Sequence, residues 1–309
     1  MDSKCLSGGI DIYLKSNNGF EKMPIKDLLK RSLSDLYLWD GYKWVKINKF
    51  RQYPSFDKRI ELILSDGERI CCTVGHKFIL ASGESKSAES ISIGDKIKKA
   101  AGFPDSAETI NVSDKQLTSL AYWFFRGSGN TKEGIIGLQN INNEQRIVVD
   151  FLKEFNCESI TSTTIDNCPY IKVASKEYLE FTAKYVIGKL PKKRYLSSEF
   201  WDLSNTQIKV FINSLFGCVG ANKLDVDSVG FNLELDSTIV SDLRIAAMRL
   251  GATFTTEIKN NNTYCIWEWG ISPSVEVVDI REGKATFFYE LAVDSKLDRY
   301  ALSSGILTT

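Results

Sequence analysis

Short runs of alternating apolar and polar residues fill both ends of the chain. Such runs predict β-strands, and the dipeptides Asp40-Gly41 and Asp66-Gly67 predict tight turns between them. The predicted strands are residues 42–50, 59–64, 68–73, 77–80, 275–280, 286–293 and 300–307. A short helix is predicted over 25–31, and a turn at Gly94-Asp95 precedes one more strand. Both ends are therefore expected to be all-β.

The middle of the chain, from about Pro104 to Pro273, has helical periodicity instead. Apolar residues recur at helical spacing over 117–125 and 208–216, and each predicted helix runs into a pair of glycines. Each is followed by a short strand region, an amphipathic helix and a strand pair, at 134–139, 144–155 and 160–173 and again at 228–235, 238–250 and 253–271. Taken singly, either helix could be a core helix with a glycine C-cap. The repeated order predicts a tandem α/β duplication inside a β-rich shell.

Length and charge narrow the class of protein. A chain of 309 residues is long enough for two domains, or for one domain split by another. Its 39 lysine and arginine residues balance 39 acidic ones, which argues against a dedicated nucleic-acid or membrane-surface protein. No apolar run approaches the roughly 18 residues of a membrane span, and the first residues lack the order of a signal peptide.

The cysteines indicate free thiols in a reducing compartment. There are seven, an odd number, and no two have the CxxC spacing of a zinc or redox site. The single histidine, His76, leaves no His/Cys zinc set. We therefore expect a cytoplasmic protein with no resident metal or cofactor.

Three short motifs occur in an informative order. The chain has Cys5-Leu6-Ser7-Gly8-Gly9 near its start, Thr73-Val74-Gly75-His76 later, and a last segment from Tyr289-Glu290-Leu291 to Gly305-Ile306-Leu307. Alone, an early cysteine is usually a small apolar residue, and a lone histidine is more often a core or surface group than a catalyst. In this order they resemble inteins, the self-splicing members of the hedgehog/intein (Hint) superfamily. Ile93-Gly94-Asp95 also resembles the V-G-D turn of that family.

The resemblance implies a fold and an activity. The fold is a mostly β, horseshoe-like Hint splicing domain formed by residues 5–105 and 273–309. An inserted domain, 106–272, interrupts it, and residues 1–4 are a stub of the upstream flank, or extein. The activity is autocatalytic, single-turnover protein splicing, whose partners are the flanking exteins of a host protein in cis. The protein is expected to be a monomer that does not bind membranes.

The resemblance also implies roles for individual residues. The thiol of Cys5 attacks the carbonyl of Lys4 and converts the Lys4–Cys5 amide into a thioester. His76 binds the scissile amide and protonates its departing nitrogen, while Thr73 polarises or holds that amide. Glu290 stands where many inteins have an aspartate, and it would shuttle protons to Cys5.

The C-terminal end departs from the family pattern. Inteins close with His-Asn, whose asparagine cyclises to release the downstream flank. Here Thr309 takes the place of the histidine, and no asparagine or downstream nucleophile follows. Asp298 or Arg299 replaces an upstream histidine of the last motif. We interpret the chain as a form trimmed or altered to block splicing, which can at most form the thioester and lose the stub to an added thiol.

The duplicated insert resembles a LAGLIDADG homing endonuclease with pseudo-twofold symmetry. Its linker would be the segment 188–216, which contains Leu190-Pro191 and Trp201. That family has a metal-binding acid at each helix end, where Mg²⁺ would be held in an active nuclease, but this chain has Ser128 and Val219. Three nearby acids are interpreted as solvated loop charges: Glu133, Asp225 and Asp227. We expect DNA cleavage to be lost.

The charge of the insert agrees with that expectation. Residues 106–272 contain 17 lysine and arginine residues against 19 acidic ones, too few to neutralise a long duplex. The one basic cluster, which consists of Lys189, Lys192, Lys193 and Arg194, is interpreted as a solvated face. DNA binding should therefore be weak or absent. The alternatives are a DNA-binding or endonuclease protein of LAGLIDADG ancestry with decorative β ends, and a structural two-domain protein without activity.

Overall fold

A computed structural model describes most of the chain. It covers residues 4–54, 58–106, 110–129, 132–138, 141–165, 168–188, 193–224, 226–234, 238–259 and 262–309. The chain divides into two compact units. The first is Met1–Pro104 with Leu243–Glu257 and Cys265–Thr309, and the second is Asp105–Asp242 with Ile258–Tyr264. Two parts of the predicted insert 106–272, Leu243–Glu257 and 265–272, therefore belong to the first unit.

Strands form most of the regular structure. They are β1 (Cys5–Ser7), β2 (Asp11–Ser16), β3 (Gly19–Pro24), β4 (Tyr37–Trp39), β5 (Trp44–Pro54), β6 (Arg59–Leu64), β7 (Arg69–Thr73), β8 (Lys77–Ile79), β9 (Ser85–Ser87), β10 (Lys96–Lys98), β11 (Gly127–Gly129), β12 (Gly134–Gly137), β13 (Ser159–Ile165), β14 (Cys168–Ala174), β15 (Val186–Ile187), β16 (Tyr195–Leu196), β17 (Asn222–Lys223), β18 (Ser228–Glu234), β19 (Ala252–Lys259), β20 (Asn262–Trp269), β21 (Ser274–Glu282), β22 (Phe287–Val293), β23 (Tyr300–Ala301) and β24 (Leu307–Thr308).

The helices lie mainly in the middle of the chain. They are α1 (Asp114–Arg126), α2 (Ile141–Leu152), α3 (Lys176–Tyr185), α4 (Ser198–Trp201), α5 (Asn205–Val219) and α6 (Ile239–Leu250). Two short 3₁₀ helices, Ile25–Lys30 and Ala88–Ser90, lie in the first unit. None of the helices in the described ranges has the length and apolar character needed to cross a membrane.

A ten-stranded sheet organises the first unit. Its strand order is β10-β21-β6-β7-β1-β22-β5-β4-β2-β3, and a smaller sheet has the order β23-β24-β8-β9. Strand β1 pairs with β7 on one side and with β22 on the other, both antiparallel. Register shifts at Val277/Asp279 and Ala292/Val293 are of the kind that bends strands. The first and last segments of the chain thus meet in the same two sheets.

The core of this unit is mostly aliphatic. Leu6, Leu62 and Ile70 are fully buried members that lie on strands, and Leu302, which directly follows β23, is another. Full burial of one such side chain stabilises a fold by about 1.5–3 kcal/mol relative to leaving it in water. The predicted all-β character of both ends is confirmed, because period-two alternation places these residues on one face.

One predicted strand is wrong. Residues 300–307 form two short strands, β23 and β24, joined by a tight turn, instead of a single strand. Gly305 has a positive φ of 85°, and its N–H donates to the Leu302 carbonyl at 2.8 Å. A glycine reaches this conformation without steric cost, so the Ser303-Ser304-Gly305 segment turns where the apolar pattern suggested continuation.

The duplication predicted for the middle of the chain is confirmed in its order of elements. The sheets that follow α1 and α5 have the orders β11-β12-β14-β13 and β17-β18-β20-β19, so equivalent strands occupy equivalent places. Both helices begin with the same capping box, in which a serine hydroxyl and a glutamine side chain cap the first turn. The pairs are Ser113 with Gln116 and Ser204 with Gln207.

Helices α1 and α5 pack against each other within the second unit. The hydroxyls of Thr118 and Ser214 lie 3.0 Å apart, and the rings of Phe124 and Phe211 meet edge to face. The two helices end differently. Helix α5 ends at Val219 and has Gly220 as a left-handed C-cap, whereas Gly127 after α1 is extended and begins a strand. The glycine C-cap interpretation therefore holds for one helix only.

Candidate active site

The turn between β7 and β8 carries two of the predicted site residues. Thr73 is the last residue of β7, and His76 directly precedes β8. The His76 N–H donates to the Thr73 carbonyl at 3.1 Å, which closes the turn. Both side chains are buried. The T-x-x-H spacing thus places a hydroxyl and an imidazole on one rigid turn.

Cys5 lies beside this turn. Its backbone N–H donates to Oγ1 of Thr73 at 3.0 Å, and the same hydroxyl lies 3.4 Å from the Cys5 carbonyl oxygen. The Cys5 side chain is fully buried. The nitrogen that Thr73 holds is the nitrogen of the Lys4–Cys5 peptide bond, so Thr73 contacts the predicted scissile amide directly.

The ring of His76 is in contact with both ends of the chain. Nε2 forms a short hydrogen bond with Oγ1 of Thr308, whose hydroxyl also lies 2.7 Å from the Lys77 carbonyl oxygen. A hydroxyl has one proton, so when it donates to Lys77, Nε2 carries the ring proton and Nδ1 is the basic nitrogen. Nδ1 is buried and lacks a partner with full hydrogen-bond geometry.

Burial sets the protonation state of this histidine. It lowers the pKa of His76 to about 3, against an ordinary value of 6.5. A hydrogen bond with the Lys4 backbone raises the pKa of His76 in part, and the positive charge of Lys4 lowers it further. At neutral pH the ring is therefore an uncharged imidazole next to the Lys4–Cys5 bond.

Glu290 stands opposite Cys5 in the sheet. The two residues are directly paired between β22 and β1, an arrangement that points both side chains to the same face. One Glu290 oxygen accepts from Lys49 Nζ at 2.6 Å and the other accepts from the Tyr53 hydroxyl at 2.9 Å. Partial burial favours a raised pKa for Glu290, but the hydrogen bonds from Lys49 and Tyr53 outweigh it and lower the pKa. Glu290 is thus a carboxylate.

A second thiol belongs to the same surroundings. Cys5 lies in a small apolar cluster with Cys71 and Phe288, against which Tyr53 and Ala285 pack. Burial raises the pKa of the Cys71 thiol, and hydrogen bonding to the Lys284 backbone only partly offsets this. A neutral Cys71 thiol is a poor nucleophile compared with a thiolate.

The last two residues lie along β8. The Thr309 N–H donates to the Lys77 carbonyl at 3.1 Å, and its hydroxyl is buried without a hydrogen-bond partner. The side chain that contacts His76 is that of Thr308. The family motif points to Thr309 as the residue near His76. Neighbouring residues of a β-strand face opposite sides, so only one of Thr308 and Thr309 can face the ring, and it is Thr308.

Lys4 is held by the C-terminal segment as well. Its Nζ forms an ion pair with Asp298 at 3.2 Å. Sequence reasoning named Asp298 only as a replacement for a missing histidine. The Lys49 and Tyr53 partners of Glu290 were also missed, because the predicted strand ends at residue 50, whereas β5 continues to Pro54 and carries both side chains.

The predicted nuclease positions lie in the second unit. Ser128 is exposed on β11, and Val219 ends α5. Glu133 pairs with Lys172 at 2.9 Å and Asp227 is exposed, whereas Asp225 lies outside the described residues. Within the described ranges, no group of three or more histidine, cysteine or acidic residues could hold a metal ion.

The solvated basic face predicted near the linker needs a correction. Lys189 and Lys192, like Leu190-Pro191, lie outside the described residues, and Lys193 is exposed. Arg194 is only 2% exposed. Its guanidinium donates to the Trp123 carbonyl at 2.6 Å and the Phe124 carbonyl at 3.0 Å. It therefore satisfies carbonyl groups in the last turn of α1 and does not face solvent.

Comparison with known proteins gives partial structural likeness. No protein-family model matches the sequence, and no curated protein sequence matches it. Part of the chain is similar to the solved structure of the G-1F mutant of the Ssp DnaB mini-intein variant M86, with 23% identity and a TM-score of 0.27. The likeness covers 31% of this chain and 60% of the mini-intein.

Two further structures show a similar degree of likeness. The Pab PolII intein is 19% identical over 35% of this chain and 71% of its own, with a TM-score of 0.29. Full-length DUF199/WhiA from Thermatoga maritima is 12% identical over 54% of both chains, with a TM-score of 0.34. These likenesses are to part of the chain in each case.

Proposed function

We propose that this chain is an intein-type self-processing protein that cleaves its own Lys4–Cys5 peptide bond. The observation that carries the proposal is the position of that bond. Its nitrogen is hydrogen-bonded to Thr73, and the imidazole of His76, from the same turn, interacts with the Lys4 backbone. Nucleophile, amide and imidazole are thus assembled without any external group.

The first step is an N-to-S acyl shift. The Cys5 sulfur attacks the carbonyl carbon of Lys4, the carbon–nitrogen bond breaks, and the Lys4 acyl group moves to sulfur as a thioester. The thiol proton leaves to a base, and the nitrogen departs as the α-amino group of Cys5 after it gains a proton. An added thiol would then displace the Cys5 sulfur and release residues 1–4 as a new thioester.

His76 suits the delivery of a proton to the departing nitrogen. A ring whose pKa is lowered to about 3 is a strong acid once it is protonated, so it transfers that proton readily. In its neutral form, Nδ1 is the free base, because Nε2 is bonded to Thr308. The same low pKa makes the neutral ring a weak base, so it is a better donor to the departing nitrogen than an acceptor of the thiol proton.

Glu290 is the second candidate base. It is a carboxylate on the same face of the sheet as Cys5, and Lys49 and Tyr53 hold it in place. Its side chain would accept the thiol proton or relay it to solvent. The role of Thr309, which the family pattern puts at a histidine position, would be limited to its backbone bond with Lys77.

The described site residues surround the Lys4–Cys5 bond, so the proposal is limited to the first step of splicing. The exteins of a host protein would be the partners in cis. The function proposed for this chain is therefore thioester formation and loss of the upstream flank.

We propose further that the duplicated middle segment is a LAGLIDADG-type remnant without nuclease activity. The repeated element order supports the ancestry, and Ser128 and Val219 offer no carboxylate for a metal. A gel-shift at low salt should show at most weak duplex binding. Ser128→Asp with Val219→Asp should restore Mg²⁺ affinity if only the ligands were lost, and unchanged affinity would mean that more than these two ligands has been lost.

The test of the main proposal is thiol-dependent loss of residues 1–4, followed by intact-mass spectrometry. Incubation with dithiothreitol or hydroxylamine should shorten the chain by the mass of those four residues. Cys5→Ala should abolish the loss. Cys71→Ala is the matched control, since it removes a thiol from the same apolar cluster and should leave the reaction in place.

The outcomes separate the possible nucleophiles. Loss that persists in Cys5→Ala would exclude Cys5, and loss that disappears only in Cys71→Ala would assign the attack to the neighbouring thiol. His76→Gln should slow the reaction at least tenfold, because general acid–base groups typically contribute about 10²–10⁴-fold. An unchanged rate in that variant would contradict the part given to the imidazole.

A further inference from the structure

Asp298 occupies an unusual backbone conformation close to the proposed cleavage point. Its φ is 43°, and it is the one non-glycine residue with positive φ in the described part of the chain. Its N–H closes a turn by donating to the Ser295 carbonyl at 3.0 Å. Aspartate and asparagine tolerate this left-handed region better than other side chains, and residues held there often lie at functional sites.

Buried Asp40 fixes the turn that carries Asp298. One Asp40 oxygen accepts from the Ser295 hydroxyl at 3.0 Å, and the Asp40 carbonyl accepts from Nε of Arg299 at 3.0 Å. Ser295, at the start of the turn, and Arg299, directly after Asp298, are thus both hydrogen-bonded to Asp40. The Asp298 carboxylate is consequently presented in a set position and is not on a loose loop.

That carboxylate meets the side chain of the residue under attack. Lys4 Nζ lies 3.2 Å from Oδ2 of Asp298, although 294 residues separate them. The carbonyl of Lys4 is the group that Cys5 would attack, and the Lys4 backbone also interacts with the ring of His76. Asp298 therefore binds the side chain of Lys4, while His76 interacts with the backbone of the same residue.

We propose that Asp298 is a specificity-determining residue that selects a cationic side chain immediately before the nucleophilic cysteine. This inference rests on the proposed function. The ion pair orients the residue at position 4 so that its carbonyl stays in line with the sulfur. A neutral residue loses this anchor, and an acidic residue is repelled from it.

The experiment compares four residues at position 4 in two backgrounds. Rates of thiol-induced release are measured for the natural chain and for Lys4→Arg, Lys4→Gln and Lys4→Glu, each with Asp298 present and in Asp298→Asn. Asparagine keeps the left-handed turn and removes only the charge. Any effect of the Lys4 charge on the protonation of His76 is common to both backgrounds and cancels in the comparison.

With Asp298 present, Lys4→Arg should react at the natural rate. Lys4→Gln should be about two- to fivefold slower, the range expected for an exposed ion pair, and Lys4→Glu slower still. In the Asp298→Asn background the rate differences among the position-4 variants should disappear. Release from Lys4→Glu should therefore be faster in Asp298→Asn than with Asp298 present. Asp294→Asn, which removes an exposed acid four residues earlier, should keep the natural order of rates.

Two results would overturn the proposal. One is an equal spread of rates in both backgrounds, and the other is a preference for lysine that survives 1 M salt unchanged, since an exposed pair is screened there. Failure of this inference is distinct from failure of the proposed function. If release still requires Cys5 but ignores the charge at position 4, only the specificity is wrong, whereas release that is independent of Cys5 removes both.

Discussion

The hydroxyl of Thr308 bonds to Nε2 of His76, 232 residues earlier in the chain. Through this contact the last strand is joined to the turn that holds the Lys4–Cys5 amide. The same hydroxyl also bonds to the Lys77 carbonyl, so Thr308 fixes both the imidazole and the strand that follows it. The two ends of the molecule are thus coupled at one buried side chain.

Replacement of Thr308 by valine should destabilise the first unit. Valine keeps the shape but leaves the buried Nε2–H without an acceptor, which typically costs about 1–3 kcal/mol. Urea unfolding should report the lower free energy of unfolding. Thr308→Ser is the matched control, because it retains the hydroxyl. Equal stability of the valine and serine variants would contradict this coupling between the last strand and His76.

Stability should fall as the pH is lowered below the ordinary pKa of histidine. The pKa of His76 is lowered to about 3 in the folded state, so between pH 6.5 and 3 the unfolded chain binds a proton that the folded chain does not. The free energy of unfolding therefore decreases with falling pH, by about 1.4 kcal/mol per unit from this group. Above pH 6.5 this contribution is fully present and constant.

Urea unfolding at several pH values checks this dependence. His76→Phe, which cannot titrate, should show a flatter profile between pH 6.5 and 4 than the natural chain. Carboxylates also titrate toward the lower end of that range, so the difference between the two profiles is the quantity of interest. Parallel profiles would show that His76 is not buried in its neutral form.

The sequence predicts the scaffold of the site better than its contacts. Period-two alternation identified the strands that carry Thr73 and Glu290, since burial on one face is visible in the order of residues. The contact between Thr308 and His76 was not predictable in the same way. It depends on a hairpin at Gly305 that separates β23 from β24, and the apolar pattern across 300–307 resembled one continuous strand.

Long-range polar partners were the other feature beyond sequence reasoning. Asp298 meets Lys4 only because Asp40 ties down its turn, and Arg194 is buried because it satisfies the end of α1. A charged residue in a linear sequence carries no sign of which carbonyl or carboxylate it will meet. For Arg194, the general rule that basic clusters are solvated gave the wrong expectation.

Gly305→Ala should be more destabilising than the same change in an open turn. Gly305 has a φ of 85°, and a Cβ there would lie 2.3 Å from Cε and 2.6 Å from Sδ of Met248. Gly83 has a similar φ of 91° with nothing within 4 Å of an added Cβ. Gly83→Ala should therefore cost about 1–2 kcal/mol from backbone strain alone.

The contact with Met248 is measured by how much more unfolding free energy Gly305→Ala loses than Gly83→Ala does. Urea unfolding of both variants gives the two free energies, and Met248→Ala added to Gly305→Ala should recover part of the difference by creating room. Because Gly305 lies three residues before Thr308, its variant should also slow thiol-induced release. Equal costs at the two glycines would mean that the Met248 side chain simply moves away.

The pH dependence of thiol-induced release should respond to Lys49. Hydrogen bonds from Lys49 and Tyr53 lower the pKa of Glu290 against the effect of partial burial. If Glu290 accepts the Cys5 proton, release declines as the pH falls through the pKa of that carboxyl. Lys49→Met removes the closest cation, at 2.6 Å, so it should raise that pKa and move the acid limb of the rate profile to higher pH.

Lys46→Met provides the matched control for that experiment. Lys46 lies on the same strand, is exposed, and precedes Lys49 by three residues, so its removal changes the net charge equally without touching Glu290. Its acid limb should coincide with that of the natural chain, whereas Tyr53→Phe should give a shift in the same direction as Lys49→Met. If Lys49→Met and Lys46→Met give the same profile, the acid limb belongs to a group other than Glu290, and the carboxylate opposite Cys5 has only a structural role.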